Sequence, residues 1–316
     1  MAWAALGGGG RDPLNRVWLG GRVNVDGLIV VDKPAGMTSH DVVARIRRLA
    51  KTRRVGHGGT LDPMATGVLI IGVNRATRLL TYVIGARKSY AATIRLGQST
   101  VTDDAEGDVT TTAATGGVTE AAIRAELAAR TGEIDQVPSA VSAIKINGQR
   151  AYKRVRDGED VELAARRVTI FEQEILAVRR TAEHVDVDID VTCSSGTYIR
   201  AIARDLGTAL GVGGHLTALR RTAVGRMTLA EAATLDQLEE RAPDVVSLPI
   251  ADAARQAFPQ RQATPEEARV LSHGGPLEPV GIEGPYAVFD PAGNVLAVVS
   301  ERAGKARAEI VLSPAG

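Results

Sequence analysis

Apolar and polar positions alternate along two stretches of the chain, and this alternation predicts strands with one buried face. From His184 to Cys193, apolar residues occupy every second position and most of the residues between them are aspartates, which is the period of a half-buried strand. Residues 88–96 alternate in the same way, with Tyr90 on the apolar side. The short apolar runs at 28–31 and 68–73 predict two further buried strands.

A helical period begins at Ser39, because Val42, Ile46 and Leu49 fall on one face. Thr38 and Asp41 precede this run at the spacing of a capping box. The same reasoning predicts further helices at 75–84, at 119–130, from about residue 197, at 229–240 and from about residue 264. Gly207 has the position of a C-cap glycine in the helix that starts near residue 197.

A break in the patterning at 243–249 divides the chain into two units of unequal size. Residues 25–245 form the larger unit. Residues 246–316 form a small β-rich unit, in which 286–289 and 295–299 flank a turn and predict a hairpin. Residues 1–24 contain two glycine runs and fit neither unit, so we expect a disordered or mis-started extension.

The composition is that of a globular protein without disulfides or metal. Of the 316 residues, 44% are hydrophobic and 24% charged, which are ordinary values for a soluble domain. The single cysteine, Cys193, excludes an internal disulfide, and the five histidines show no metal-ligand spacing. No apolar run is long enough to span a bilayer. We therefore expect a cytoplasmic protein with no metal and no membrane segment.

The net charge is only +1, so binding to nucleic acid would depend on local basic patches. One patch lies at 45–54 and ends with Arg53 and Arg54. It is either a solvated helix face or a surface that contacts phosphates.

A second basic patch lies at 137–160, where cationic residues surround Tyr152. They are Lys145, Arg150, Lys153 and Arg154, with Arg156 beyond them. The segment is either an ordinary exposed connection or a loop that clamps RNA, because RNA-binding surfaces interleave basic and aromatic side chains.

The segment 56–69 places one carboxylate, Asp62, between a glycine-rich turn, which includes Gly56 and Gly58, and an apolar run. A P-loop would need a lysine directly after its last glycine, but Val68 follows Gly67. A second acid two positions after Asp62 is also missing, because that position is Met64. Apart from the alternative of an ordinary turn residue, the pattern favours a carboxylate that acts as nucleophile or base on an organic substrate.

Four motifs follow one another between about residues 27 and 226. They read Leu-Ile-Val-Val-Asp-Lys-Pro-Ala-Gly-Met-Thr-Ser at 28–39, Gly-His-Gly-Gly-Thr-Leu-Asp-Pro-Met-Ala-Thr-Gly-Val-Leu at 56–69, Lys-Ser-Tyr at 88–90 and Gly-Thr-Tyr-Ile-Arg at 196–200. In content and order they resemble the motifs of bacterial, stand-alone TruB-type tRNA pseudouridine-55 synthases. The resemblance implies an α/β (α+β) fold with a mixed, mainly antiparallel sheet flanked by helices, followed by a small PUA-like RNA-binding module.

The resemblance also implies the roles of individual residues. Asp62 matches the catalytic aspartate, and Arg200 matches the arginine that pairs with it. The positions that match substrate-contacting residues of the family are His57, Tyr90, Tyr198, Arg200 and Leu219. In the implied reaction the N1–C1′ bond of a uridine breaks and the uracil rejoins through C5, so no cofactor is needed. Asp62 could attack C1′, attack C6 or remove the 2′ proton, and the sequence leaves these routes open.

The implied partner is the T-stem-loop of tRNA, bound by a monomer without an obligate protein partner. Two other classes remain open. One is an RNA-binding or tRNA-folding protein in which the Asp62 pocket is idle, and the other is a hydrolase that uses Asp62 together with His57. Guide-RNA-dependent synthases share the motifs but usually carry charged tails, which this sequence does not show.

Overall fold

The computed structural model describes residues 25–139, 145–146, 149–150 and 163–314. The extension at 1–24 and most of the basic patch at 137–160 lie outside the described residues. Of residues 145, 146, 149 and 150, only the backbone is described.

Helices and strands alternate irregularly along the described chain. The helices are α1 (Ser39–Leu49), α2 (Leu80–Ile84), α3 (Glu120–Ala129), α4 (Ile199–Ala209), α5 (Leu235–Glu240), α6 (Ile250–Ala257) and α7 (Pro265–Ser272), and a 3₁₀ helix covers Asn74–Leu79. The strands are β1 (Gly27–Lys33), β2 (Val55–Gly58), β3 (Thr66–Val73), β4 (Lys88–Leu96), β5 (Gln98–Thr100), β6 (Val109–Thr112), β7 (Gly132–Gln136), β8 (Lys145–Ile146), β9 (Gln149–Arg150), β10 (Arg166–Arg180), β11 (Val185–Cys193), β12 (Gly214–Val224), β13 (Met227–Thr228), β14 (Leu248–Pro249), β15 (Gln260–Gln262), β16 (Tyr286–Phe289), β17 (Val295–Arg302) and β18 (Lys305–Val311).

Ten of these strands form one large sheet, in the order β14-β1-β3-β12-β4-β11-β10-β7, with β2 and β13 paired to β3 and β12. Among the described strands of this sheet, β3 and β12 are the parallel pair and the other pairings are antiparallel. A separate sheet, β15-β16-β17-β18, forms the C-terminal part. The predicted fold class, a mainly antiparallel sheet flanked by helices with a small β-rich module, is confirmed.

The stretches predicted as strands form the centre of the large sheet. β11 lies against β4, and Val191 of β11 pairs with Tyr90 of β4. In both strands every second residue is buried, because only one face of the pleat points into an apolar core. The apolar runs form β1 and β3, which pair with each other and are buried almost throughout.

Helix α1 begins as predicted, with a complete capping box. Thr38 Oγ1 accepts a hydrogen bond from the backbone N–H of Asp41 at 3.1 Å, and the Asp41 carboxylate accepts one from the backbone N–H of Thr38 at 2.8 Å. Two of the free N–H groups at the helix start are thereby satisfied.

Three local predictions are wrong. Gly207 lies inside α4 rather than at its end, and a Cβ there would be 2.1 Å from the backbone of Gly213, so glycine permits a close approach of the two segments. The helix predicted at 229–240 is limited to the six residues of α5. Gly56 and Gly58 belong to β2 rather than to a turn.

At β1 and β3 the large sheet buries an apolar core on each of its two faces. On one face, α1, α3 and α4 pack against the sheet, and Leu61 of the Asp62 loop joins this core. On the other face, Ala254, Phe258 and Phe289 pack with Val30 and Ile70. The small C-terminal sheet therefore covers the face opposite α1 and α4. Among the described helices, none has both the length and the apolar character to cross a membrane.

Candidate active site

Asp62 lies in the loop between β2 and β3, and both of its neighbours are tied to the segment that leads into α1. Ser39 Oγ accepts a hydrogen bond from the backbone N–H of Leu61 at 2.9 Å and donates one to its carbonyl at 3.1 Å. The carbonyl of Pro63 accepts a hydrogen bond from the N–H of Gly36 at 2.8 Å. The carboxylate of Asp62 is thus presented by a backbone that is fixed on both sides, and its side chain remains 37% exposed.

Lys33 is fully buried beside this loop. Its ammonium group donates hydrogen bonds to the carbonyls of Pro34 at 2.8 Å, Met37 at 2.6 Å and Pro63 at 3.2 Å. Burial lowers the pKa of Lys33 to about 8, although the nearby carboxylate of Asp62 opposes this effect. Because three donors meet three carbonyls, Lys33 acts as a structural tie between the first motif and the Asp62 loop.

Arg221 of β12 holds the same loop from the other side. Its Nε donates to the carbonyl of Val68 at 2.7 Å, and its Nη2 donates to that of Gly59 at 3.0 Å. The side chain is among the largest fully buried ones, and within the described residues no carboxylate pairs with it. Arg221 therefore fixes both ends of the loop through backbone carbonyls, a role that the sequence patterning does not reveal.

Arg200, in the first turn of α4, joins Asp62 to a second carboxylate. Its Nε is 3.1 Å from Asp62 Oδ2, and its Nη1 is 3.3 Å from Asp104 Oδ2. Nη1 also donates a hydrogen bond to the carbonyl of Thr102 at 2.8 Å. The side chains of Arg200 and Asp104 are 7% and 3% exposed, so the guanidinium group is shared between a partly exposed and a buried carboxylate.

Asp104 belongs to the acidic loop after β5, for which the sequence predicts no function. Its Oδ1 accepts hydrogen bonds from Thr102 Oγ1 at 2.5 Å and from the backbone N–H of Glu106 at 3.0 Å. Thr100 Oγ1 donates to its carbonyl at 2.7 Å. These contacts fix the orientation of the carboxylate toward Arg200.

A cavity of about 250 Å³ opens beside Asp62 and Arg200. Tyr90 of β4, Tyr198 at the N-cap of α4 and Leu219 of β12 contribute to its walls. Five of the six residues predicted to form the site therefore line one cavity. The residues that come from β4, β12 and α4 are far apart in sequence and meet because β4 and β12 are neighbours in the sheet.

Burial raises the pKa of both cavity tyrosines. For Tyr90 the adjacent cation of Arg221 opposes the effect of burial, and for Tyr198 the cations of Arg166 and Arg200 do so. Both phenols are therefore neutral near pH 7. The backbone of Tyr198 is held by the side-chain amide of Gln136, through hydrogen bonds of 2.8 and 3.1 Å.

Family models and related sequences identify the protein family of this chain. The family model "TruB family pseudouridylate synthase (N terminal domain)" matches residues 47–199. The models "tRNA pseudouridylate synthase B C-terminal domain" and "tRNA Pseudouridine synthase II, C terminal" match residues 200–244 and 258–313. A tRNA pseudouridine synthase B from an Arthrobacter species is 56% identical over 301 residues, which cover 92% of this chain and 97% of the relative. The chain belongs to the TruB family.

Further relatives of this TruB-family chain are also pseudouridine synthases or structurally similar proteins. A tRNA pseudouridine synthase B from a Mycobacterium species is 57% identical over 289 residues, with 92% of this chain and 97% of the relative covered. A crystal structure of the archaeal box H/ACA sRNP Nop10-Cbf5 complex contains a chain that is 27% identical, with a TM-score of 0.67 and coverage of 91% and 86%. Pseudouridine synthases are isomerases, and this chain is therefore an isomerase.

A further buried cation, Lys88, lies on the cavity wall of this TruB-family enzyme. Its ammonium group donates to the carbonyls of Ile84 at 2.8 Å and Ala86 at 3.2 Å. Burial lowers the pKa of Lys88 to about 8, and the charge of Arg221 contributes to the shift. The wall around Tyr90 is thus electropositive, which the composition alone does not reveal.

His57 lies in β2 and does not line the cavity. Its ring packs edge-on against that of His40, with 5.3 Å between the centroids. Burial lowers the pKa of His57, and electrostatic repulsion from His40 and Arg221 adds to the effect. In the described part of the chain, no hydrogen bond joins His57 to Asp62, so the geometry does not support a hydrolase in which the two act together.

Among the predicted RNA-contacting residues, Arg53 and Arg54 do not line the cavity. Arg53 and Arg54 are exposed directly before β2, and among the described side chains no acid pairs with either. Lys145 and Arg150 face each other across the β8–β9 pair. The remaining two, Lys153 and Arg154, lie outside the described residues.

The described residues contain no group of three or more His, Cys, Asp or Glu side chains that could hold a metal ion. Cys193 is buried in β11. Burial raises the pKa of its thiol to about 11, so this cysteine is a packing residue rather than a nucleophile.

Proposed function

We propose that this TruB-family chain isomerises uridine to pseudouridine at position 55, in the T-loop of tRNA. The observation that carries the proposal is the 3.1 Å ion pair between Asp62 and Arg200, beside a cavity that Tyr90 and Leu219 help to enclose. A fixed carboxylate next to an aromatic wall suits a nucleobase that has left its stack. Identities of 56% and 57% to curated tRNA pseudouridine synthase B proteins support tRNA as the substrate.

The reaction conserves the atoms of the uridine. The N1–C1′ bond breaks, the uracil turns within the cavity, and a C5–C1′ bond forms. The proton on C5 is released and N1 gains a proton. Asp62 starts the sequence by attacking C1′, attacking C6 or removing the 2′ proton, and each route uses the same carboxylate.

The other cavity residues support this carboxylate. Arg200 holds it in a fixed direction through Nε. Tyr90 packs against the base, and its neutral phenol can take part in proton movement at C5. Tyr198 and Leu219 form the walls that keep the detached uracil in place.

Before the reaction can start, the base of the target uridine must flip out of its stack in the T-loop, at a cost of about a few kcal/mol. We propose that His57 takes the place of the departed base. Its position in β2, next to the catalytic loop but outside the cavity, supports this role. Such a wedge needs no contact with Asp62.

Phosphate contacts would hold the rest of the tRNA. We assign them to Arg53 and Arg54 and to the basic residues Lys145, Arg150, Lys153 and Arg154, and we assign further RNA contacts to the C-terminal sheet. We propose that the enzyme acts in the cytoplasm as a monomer without an obligate protein partner.

Tritium release from tRNA labelled at C5 of uridine tests the proposal, because forming the C5–C1′ bond expels the label. The unmodified chain should release tritium from a T-loop transcript, and none should be released when position 55 is cytidine. Asp62→Asn should bind the tRNA normally and lower the rate at least about a thousandfold. Asp252→Asn is a matched control, since Asp252 forms an exposed 2.9 Å pair with Arg255 on α6 and should leave the rate unchanged.

The rival functions give different results in the same assay. Binding of tRNA without tritium release by the unmodified chain would indicate an RNA-binding protein with an idle pocket. Free uracil among the products would indicate a hydrolase. An undiminished rate for Asp62→Asn would show that another group performs the chemistry.

A further inference from the structure

Two consecutive aspartates pair with two arginines that are one turn apart on α4. Asp104 contacts Arg200 at 3.3 Å, and Asp103 contacts Arg204 at 3.4 Å. Residues at i and i+4 point to the same side of a helix, whereas consecutive residues of an extended segment point to opposite sides. Asp103 adopts a left-handed conformation, with φ of +59°, and this turn allows both carboxylates to face α4.

The Asp103–Arg204 pair also holds the segment that follows β7. Arg204 Nη2 donates a hydrogen bond to the carbonyl of Val137 at 2.7 Å, and Nη1 lies 3.4 Å from the carbonyl of Pro138. Ser139 is fully buried beside the carboxylate of Asp103. Arg204 therefore connects residues 137–139 to the loop of Asp103.

Both neighbours of Asp103 in the chain contact Arg200. The carbonyl of Thr102 accepts a hydrogen bond at 2.8 Å, and the carboxylate of Asp104 forms an ion pair at 3.3 Å. The carbonyl of Asp103 itself accepts a hydrogen bond from the N–H of Leu216 in β12 at 3.0 Å. A displacement of Asp103 would thus move both groups that hold the distal end of Arg200, whose Nε binds Asp62.

We propose that Asp103 and Arg204 are positioning residues for the isomerisation: they fix Thr102 and Asp104, and through Arg200 they set the direction of Asp62. The same pair links this geometry to residues 137–139. This inference rests on the proposed function.

The test compares single and double variants of the pair. Asp103→Asn is chosen because asparagine tolerates a positive φ and loses only the charge, and Arg204→Gln removes the cation. Asp205→Asn is the matched control, because Asp205 is the other carboxylate partner of Arg204, at 2.8 Å, and does not belong to the 102–104 loop. Single-turnover tritium release, tRNA affinity and thermal unfolding are measured for each variant.

Each single variant should lower the single-turnover rate about three- to thirtyfold, the range of a coupling through one packed network, while tRNA affinity changes less than about twofold. The double variant should be no slower than the slower single variant, because both changes break the same contact. Arg204→Lys should recover part of the rate lost in Arg204→Gln. Asp205→Asn should react at the wild-type rate.

Wild-type rates for folded Asp103→Asn and Arg204→Gln would overturn the inference, as would an equal loss in Asp205→Asn. Losses that multiply in the double variant would also overturn it, because they would show independent effects. The failure of the inference is distinct from that of the proposed function. If the unmodified chain releases no tritium, both fail; if it is active and the single variants match it, only the inference fails.

Discussion

Replacing Asp104 by asparagine should slow the reaction without weakening tRNA binding. Asparagine keeps the shape of the side chain and an oxygen for its donors, but it removes the charge that lies 3.3 Å from Arg200 Nη1. The Asp104 side chain is only 3% exposed, so water cannot replace the lost interaction. Polar contacts to charged groups are worth about 1.5–3 kcal/mol and neutral ones about 0.5–1.5 kcal/mol on the scale of hydrogen bonds, so replacing the ion pair by a neutral contact should cost about 1–2 kcal/mol.

The rate effect follows from that difference. Arg200 would be held at its distal end by a weaker partner, and the carboxylate of Asp62 would then be drawn more strongly to the guanidinium group. If the whole loss of interaction free energy raises the activation free energy, the rate should fall about five- to thirtyfold, since about 1.4 kcal/mol corresponds to a factor of ten. Single-turnover tritium release with excess enzyme measures this rate, and filter binding measures tRNA affinity.

Asp186→Asn provides the control for Asp104→Asn. Asp186 forms a half-buried pair with Arg95, at 2.8 Å, at the opposite end of β4 and β11 from Tyr90. Its loss should lower thermal stability but leave the rate of the folded enzyme unchanged. A wild-type rate for Asp104→Asn, or a loss confined to tRNA affinity, would refute the reasoning.

Two further predictions concern stability. Gly67→Ala should destabilise the fold by about 2 kcal/mol or more, because a Cβ would lie 2.2 Å from the carbonyl oxygen of Arg221 and the residue has φ of +95°. Chemical denaturation measures the effect, and Gly85→Ala, where the atom nearest to a Cβ is 3.7 Å away, is the control that should be nearly neutral. Equal losses of stability in the two variants would contradict the argument. Lys88 has its pKa lowered from 10.5 to about 8 by burial, so between these values the unfolded chain binds a proton that the folded chain does not, and stability should rise with pH across this window. Lys88→Met should reduce that slope in thermal melts recorded from pH 8 to 10.5, and an unchanged slope would show that Lys88 titrates normally.

The sequence predicts elements whose side chains follow one uninterrupted period. β11 alternates without a break and pairs with β4 in continuous register, so its buried face is visible in the sequence. Helix α1 combines a capping box with a regular apolar stripe. The similarity of the motifs to a known family predicts that Asp62 and Arg200 meet, since no period or spacing relates two residues that distant in the chain.

The patterning fails where the period is interrupted. β10 and β12 each contain two register shifts in their pairings with neighbouring strands. An extra residue in a strand changes which side chains face the core, so neither strand shows a continuous alternation. Arg221 lies in such a strand, and composition does not reveal that this arginine is buried and donates hydrogen bonds to the backbone carbonyls of the Asp62 loop.

The role of Asp104 cannot be predicted from the sequence, for a different reason. Three acidic residues within a few positions of one another are typical of a solvated loop, and their number gives no sign that Asp104 is buried and Asp103 half-buried. The burial depends on the left-handed backbone at Asp103 and on two arginines of α4, which are contributed by a distant part of the chain. Local sequence cannot encode an environment that the rest of the fold supplies.

The same argument applies to the whole Asp62 loop. Asp62 is placed by Lys33 at the end of β1, by Ser39 at the start of α1, by Arg221 of β12 and by Arg200 of α4. These groups converge because β12 runs parallel to β3 and brings Arg221 beside Gly67, where any side chain would collide with the Arg221 backbone. A carboxylate held in this way has its working direction only when the central sheet, α1 and α4 are all in place, so its geometry is a property of the cooperative fold and not of the loop that contains it.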